Sequence, residues 1–313
     1  MIRMRQQLKA AGVLGINGRN ALYTLRYNPR RLYPLVDDKL LTKQLAQETG
    51  VAVPALYAQI EIHQQVKSLQ EMLEPHRDFV IKPACGSGGD GIVVISGRRK
   101  GLYRKIGGQL LELAELQFHV SNILSGMFSL GGQPDKALIE YRVTFDPIFE
   151  AISYQGVPDI RIIVFLGVPV MAMVRLPTRQ SDGKANLHQG AIGAGIDIAT
   201  GRTLSAVWLN QIVEEHPDTG NPVTGVYIPG WERLLSLAAG CYEMTGLGYI
   251  GVDLVLDADL GPLMFELNAR PGLDIQIANR AGLLHRLQQV EQRQPGGLSV
   301  EQRIAFAREH FAV

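Results

Sequence analysis

Two alternating apolar runs, Tyr249 to Leu256 and Pro262 to Asn268, flank a short polar turn, and they constrain the fold more than any other stretch of the chain. The gap between them suits an antiparallel hairpin. With Ala258 to Gly261 as a four-residue loop, Asp257 pairs with Pro262. Counting outward, Asp253 then falls opposite Glu266 and Gly251 opposite Asn268. Directly opposite residues share a face of the sheet. One face therefore carries Asp253, Glu266 and Asn268. The other carries Val252, Leu254, Leu256, Leu263, Phe265 and Leu267, a set that belongs against a core. Two carboxylates opposed across a rung repel. A divalent cation with hard oxygen ligands offsets that repulsion, and Asn268 adds a neutral oxygen. Without His or Cys in the set, magnesium is favoured over zinc. A solvated acidic face is the plain alternative, and a register slip of one residue would scatter the set.

A second feature is FVIKPACGSGGDGIVVI, which places Lys82 at the end of an apolar strand and follows it with Gly86, Ser87, Gly88, Gly89 and Gly91. Glycine permits positive φ and close backbone approach, so successive N–H groups can cradle an anion. A lysine beside them supplies a point charge for phosphates. No Gly-Lys-Ser/Thr leads into a helix, so this is not a P-loop; a flexible hairpin turn is the alternative. Cys85 has no base beside it in sequence and reads as a small filler, not a nucleophile.

The 313 residues, 46% hydrophobic and 19% charged, suffice for two or three lobes around sizeable cores. A net charge of +1 gives no overall field toward nucleic acid or an anionic membrane, although it leaves room for a local basic patch. The two cysteines, Cys85 and Cys241, form no disulfide framework, which points to a reducing, cytoplasmic setting. The basic start MIRMRQQLKAAGVLGI lacks a cleavage pattern, so a signal peptide is not expected. The longest apolar run, Ile162 to Val174, is broken by Gly167 and Pro169 and is too short to span a bilayer; it reads as two strands joined by a tight turn.

Elsewhere, Asp37 or Asp38 caps a helix that ends at Gly50, and Pro54 begins an extended stretch. Glu61 to Leu73 and Gln109 to Leu124 read as helices, and Ala137 to Val143 as a strand. Leu176 to Gly195 reads as a long loop, Trp231 to Met244 as a helix, and a last helix starts near Ser299. Strands and helices do not alternate strictly, so the expected class is α+β, with antiparallel hairpins flanked by helices.

The order of these features resembles the ATP-grasp superfamily, and more closely the RimK-type alpha-L-glutamate ligases. The segments that carry the likeness are VDDKLLTKQLAQETGVAVP, FVIKPACGSGGDGIVVI, IEYRV, PDIRIIVFLGVPVMAMVR, KANLHQGA and GVDLVLDADLGPLMFELNARPGL, over roughly residues 36–278. HPDTG and VYIPGW also resemble a branch associated with sugar-transfer loci. The resemblance implies an ATP-grasp fold of two α+β lobes that clasp ATP. Residues 1–36 would be a short basic region, 37–143 the N-terminal lobe, 144–285 the C-terminal lobe and 286–313 a helical tail.

It also implies roles, one residue at a time. Lys39 and Lys82 match phosphate-binding lysines, and the loop at Ser87, Gly88 and Gly89 would close over the phosphates. Glu140 matches a hinge acid near the adenine amino group. Tyr141 and Val143 would offer backbone groups to the ring, and Asp159 matches a ribose-contacting acid. Asp253, Glu266 and Asn268 match ligands of Mg2+, for which Mn2+ can stand in. Arg161, Lys184, Asn186 and Arg270 match positions that face phosphate or the acyl phosphate, and His188 lies in the same loop as Asn186. The implied reaction joins a small-molecule or peptide carboxylate to an amine through an acyl phosphate. A small-molecule kinase or a nucleotide-binding regulator would use many of the same residues. Relatives carry a substantial domain before the ATP-binding lobes, whereas only about 36 residues precede the match here. A homodimer stays open for that reason; neither a nucleic-acid partner nor a membrane span is expected.

Overall fold

The computed structural model describes residues 2–86 and 88–313. Among them, two sheets are antiparallel throughout, with helices beside each, and the class is α+β. The first sheet holds β1 (Leu56–Ile60), β2 (Phe79–Pro83), β3 (Val93–Arg99), β4 (Leu102–Lys105), β5 (Leu110–Leu111) and β6 (Ala137–Glu140), in the order β1-β6-β2-β3-β4-β5. The second holds β7 (Asp159–Phe165), β8 (Val168–Leu176), β9 (Ile192–Ile196), β10 (Thr203–Trp208), β11 (Gln211–Val213), β12 (Tyr249–Asp257) and β13 (Gly261–Asn268), in the order β11-β10-β9-β8-β7-β12-β13.

The chain divides into two compact units. The smaller comprises Asp38–Gln44 and Val53–Val143; the larger comprises the chain through Asp37, Leu45–Ala52 and Thr144–Val313. In the smaller unit, helix Leu113–Leu124 buries Leu116, Val120 and Ile123, one apolar stripe at helical spacing. That stripe joins Phe79, Ile81, Ile95 and Ile139 of the sheet in one core. Asp38 caps helix Lys39–Thr49, accepting from the Leu40 N–H at 2.8 Å, and Gly50 ends it at φ +74°.

In the larger unit, β7 and β8 meet at Leu166 and Gly167, both at positive φ, the tight turn expected inside the apolar run. Helix Trp231–Thr245 packs against β7, β12 and β13, and helix Val300–His310, capped by Ser299, packs against β8. Among the described residues no helix is long and apolar enough to cross a membrane.

The carboxylate hairpin forms with one change. Asp253 pairs with Glu266 and Gly251 with Asn268, as the sequence predicts, but Asp257 pairs with Gly261 and not with Pro262. The Asp257 carboxylate accepts from the N–H groups of Asp259 and Leu260 at 3.0 and 2.9 Å, which tightens the turn to three residues. A bulge at Phe265 then restores the register before Glu266. Pro262, Leu263 and Met264 are buried while Phe265 is only half-buried, so the apolar face of β13 is not a strict alternation.

Three other expectations change. Glu61 to Leu73 is not one helix but a 3-10 turn, His63–Ser68, leading into helix Leu69–Leu73. Gln109 to Leu124 contributes β5 before its helix begins at Leu113. The loop after Leu176 ends at Ile192, because IGAGI is strand β9. Glycine disfavours strands, but here its small size admits helix Ile275–Ala278: a Cβ at Gly195 would lie 2.7 Å from the Ala278 carbonyl oxygen.

The N-terminal segment, whose structure the sequence leaves open, buttresses the hairpin. Asn28 is 2% exposed. Its Nδ2 donates to the carbonyls of Tyr249 (2.6 Å) and Ala269 (2.9 Å), and its Oδ1 accepts from the Tyr249 N–H at 2.9 Å. Tyr23 and Tyr27 set their rings edge-on to Phe165. Replacing Asn28 with Ala orphans three buried backbone groups and is expected to cost about 2–4 kcal/mol of stability. Urea denaturation monitored by circular dichroism measures this, and a loss below ~0.5 kcal/mol contradicts the buttressing role.

Candidate functional site

In the smaller unit, β2 and β6 pair so that Val80 lies opposite Glu140, which puts Lys82, two residues on from Val80, on the same face as Glu140. Glu140 is 1% exposed and ion-paired with Lys82. It holds a second lysine as well: Lys43 Nζ lies 2.9 Å from Glu140 Oε2 and donates to the Pro54 carbonyl at 2.5 Å. Burial alone would raise the Glu140 pKa, but Lys82 and then Lys43 outweigh it and hold the carboxyl below the usual carboxylate range. Burial also lowers the pKa of Lys43, with Glu140 opposing. Lys43 was not among the sequence candidates. Its signal is faint, a lysine one turn after Lys39 on the helix face that also carries buried Leu40.

Lys39 Nζ donates to the Gly86 carbonyl at 2.7 Å, so this lysine stands at the mouth of the glycine loop. The loop's base is pinned, for the Cys85 N–H donates to the Asp135 carboxylate (3.0 Å) and His119 Nε2 contacts the Gly91 carbonyl (2.9 Å). Gly88 and Gly89 both adopt positive φ, and a Cβ at Gly88 would meet nothing within 4 Å. Ser87 lies outside the described residues. Partial burial and Asp135 push the Cys85 thiol up to about 11, which keeps it protonated at neutral pH and supports the reading that it is no nucleophile. Tyr141 follows β6, and its N–H already donates to the Ala55 carbonyl at 2.9 Å. Any backbone group it lends a base is therefore the carbonyl. Val143 is buried at the end of this unit.

In the larger unit one rung crosses three strands: Arg161 on β7, Asp253 on β12 and Glu266 on β13. Asp253 is 2% exposed and fully engaged. Arg161 grips both of its oxygens, Nε to Oδ1 at 2.7 Å and Nη2 to Oδ2 at 2.6 Å. Arg175 Nη2 adds a contact to Oδ2 at 2.9 Å, and Asn268 Nδ2 lies 3.3 Å from the same atom. Arg175 also clasps Asp159 with both nitrogens of its fork. Burial would raise the Asp253 pKa, yet Arg161 and Arg175 hold the carboxyl down to about 2. Asp159 is pushed up by burial and by the Asp253 charge, against the pull of Arg175.

Arg175 is the second residue the sequence did not single out; it closes the run MAMVR, where its alternation with Met173 places it on the face of Arg161. Glu266 and Asn268 are half-buried on that face. A Cβ at Gly193, opposite Arg175, would meet Leu187 at 2.8 Å, so the loop that carries Lys184, Asn186 and His188 covers this end of the face. Asn186 caps the turn Leu187–Gln189, accepting from the His188 N–H at 3.0 Å, and exposed His188 lies 3.3 Å from Asp274. Arg270 is exposed, with its guanidinium over the Tyr33 ring.

The Asp253–Glu266 opposition is offset within the chain by two guanidinium groups. A divalent cation still suits the donor set, because Asp253 is held ionised and Glu266 and Asn268 bring oxygens to the same face. Such a cation must compete with Arg161 and Arg175 for Asp253, and Asn268 must turn its amide oxygen toward it. Among the described residues no three His, Cys, Asp or Glu side chains cluster as metal ligands.

The Glu140 linkage has a definite sign. Its pKa in the folded chain is depressed, so its stabilisation is present above the ordinary carboxylate value and is lost as pH falls through the lowered one. Glu140→Gln removes that dependence and leaves Lys43 and Lys82 buried against a neutral amide. We expect a loss of about 3–5 kcal/mol at pH 7 that shrinks as the pH is lowered below ~4, read by denaturation at a series of pH values. A loss that stays constant with pH contradicts the ionised assignment.

The family model for sugar-transfer associated ATP-grasp matches residues 18–292. No curated protein matches the chain. Similar solved structures include the ATP-grasp ligase PsnB complexed with minimal precursor, at 15% identity and TM-score 0.46, covering 86% of this chain and 64% of that one. D-cycloserine synthetase DcsG is similar at 17% identity and TM-score 0.47, covering 85% and 73%. The D-alanine–D-alanine ligase of Bacillus anthracis complexed with ATP is similar at 13% identity and TM-score 0.45, covering 89% and 68%. The chain thus spans less than two thirds of the length of PsnB.

Proposed function

This chain belongs to the sugar-transfer associated ATP-grasp family, and from that premise we propose that it is an ATP-dependent carboxylate–amine ligase that works through an acyl phosphate. The observation that carries the reading is the rung Arg161–Asp253–Glu266 with Asn268 beside it. It sets cationic groups for phosphate oxygens next to oxygen ligands for a metal.

A free carboxylate is a poor acyl donor because its leaving group would be oxide. Transfer of the γ-phosphoryl group of ATP to a carboxylate oxygen forms an O–P bond and breaks the bond to ADP, so that the acyl C–O bond can later break with phosphate as leaving group. An amine then attacks the acyl carbon, and the products are an amide, ADP and phosphate. Catalysis of this kind rests on positioning and charge neutralisation, with no enzyme nucleophile, in keeping with the protonated Cys85 thiol.

The roles divide as follows. Lys39 and Lys82 receive phosphate oxygens, and Lys43 with Glu140 fixes Lys82 in place. Glu140, Tyr141 and Val143 border the base, with Ser87, Gly88 and Gly89 over the phosphates. Asp159 reaches the ribose only after releasing Arg175. Asp253, Glu266 and Asn268 would hold magnesium, or manganese in its place, which would supply neutralisation of phosphate charge. Arg161 and Arg175 turn from Asp253 toward the transferring phosphoryl group. Lys184, Asn186 and Arg270 contact the acyl phosphate, and His188 orients substrate from the same loop. The substrates are a small-molecule or peptide carboxylate and an amine, the setting is cytoplasmic, and the lobe boundaries follow the family pattern at residues 37–143 and 144–285. Whether two copies assemble is decided by light scattering.

Product analysis with magnesium ATP and a mixed pool of amino acids and short peptides tests the reading. It predicts ADP, phosphate and a new amide mass, and a fall of at least ~10²-fold in turnover for Glu266→Gln. AMP with pyrophosphate, or a phosphorylated small molecule without an amide, contradicts it, and unchanged turnover in the variant contradicts the metal assignment.

A further inference from the structure

We propose that the N-terminal segment, through Leu32, is a docking surface for an anionic lipid membrane. Residues 1–36 contain seven basic side chains (Arg3, Arg5, Lys9, Arg19, Arg26, Arg30 and Arg31) and no acid; the first is Asp37. The rest of the chain carries 24 basic and 30 acidic residues, so the near-neutral total conceals a strong local asymmetry.

The same segment exposes its aliphatic side chains. Ile16 is 63% exposed, Leu22 52% and Leu25 60%. Consecutive helical turns run from Ile16 to Tyr27. Their inner edge carries Tyr23 and Tyr27, packed on Phe165, so Ala21, Leu22, Leu25 and Arg26 form the outer edge. Leu22 and Leu25, three residues apart, are neighbours on that edge. Helix Ile2–Ala10 precedes them, and every described side chain on it, Gln6 to Ala10, is exposed. A nine-residue helix whose described side chains are all exposed is marginal in water and gains from a surface to lie on.

The exposure is not fraying. Leu14 is held through both backbone groups by Gln276 (2.8 and 3.0 Å), and Arg19 donates to the Pro271 carbonyl at 2.7 Å. Asn28 adds the three bonds described above. The segment is thus fixed at Leu14, Arg19 and Asn28 while it presents Leu22, Leu25, Arg30 and Arg31 outward.

Charge complementarity selects the occupant. A second copy docked through the same patch would oppose Lys9, Arg30 and Arg31, all exposed, with the same cations. Nucleic acid would draw on the charge, but single strands also need exposed rings for stacking, and here the tyrosines face inward while aliphatics face out. An anionic bilayer meets both demands, with headgroups for Arg and Lys and the acyl margin for Leu and Ile. This inference does not depend on the catalytic reading.

Co-sedimentation of the full chain with vesicles tests it, using phosphatidylcholine alone and phosphatidylcholine mixed with phosphatidylglycerol. We expect pelleting only with the anionic vesicles and release at high salt. The pairs Arg30→Gln with Arg31→Gln, and Leu22→Gln with Leu25→Gln, should each weaken binding on the order of tenfold or more, while melting temperature and ATP binding stay at the native level. Absence of pelleting, equal pelleting with phosphatidylcholine alone, or indifference to both pairs overturns the proposal. So does a native dimer that the leucine pair splits, by light scattering, or retention of an oligonucleotide without vesicle binding.

Discussion

The larger unit is organised around one buried carboxylate. Asp253 sits on β12, between β7 and β13, and receives N–H groups from Arg161, Arg175 and Asn268 on three different strands. An unpaired charge at 2% exposure would be costly. The contacts that prevent this also fix β8, β7, β12 and β13 in register, because Arg161 lies directly across from Asp253, and Arg175 directly across from Asp159. The bulge at Phe265 serves the same end: without it the turn set by Asp257 would carry Glu266 out of line with Asp253.

The smaller unit repeats the scheme with reversed sign. A single acid, Glu140, is enclosed by two lysines, and its ionisation is maintained by them against burial. In both units a buried charge is held ready by counter-charges of the chain itself. For Asp253 those counter-charges are the guanidinium groups of Arg161 and Arg175, which under the proposed function would turn to the phosphoryl group.

Much of this was legible in the sequence where local rules apply. The hairpin, the opposition of Asp253 and Glu266, the tight turn at Gly167 and the Ser299 cap all follow from alternation and turn chemistry over a few residues. What escaped was long-range or decided by packing. Lys43 meets Glu140 only because its helix, far away in sequence, lies against the sheet residue Glu140 on β6. Arg175 gains its meaning from Asp159 and Asp253 on other strands. β9 is hidden by its glycines, which are tolerated because helix Ile275–Ala278 passes so close. The three-residue turn depends on a carboxylate reaching back to Asp259 and Leu260, a contact that alternation does not encode.

The central claim is that Arg161 and Arg175 hold the place at Asp253 that a cation takes when nucleotide arrives. Calorimetric titration of magnesium into the protein, with and without a non-hydrolysable ATP analogue, tests it most directly. The native chain should bind magnesium weakly alone and about tenfold or more tightly with the analogue, a coupling of ~1.4 kcal/mol or more. Arg161→Leu should tighten binding in the absence of the analogue. Equal magnesium affinity in all three cases would show that the arginines do not compete for Asp253, and would contradict the account.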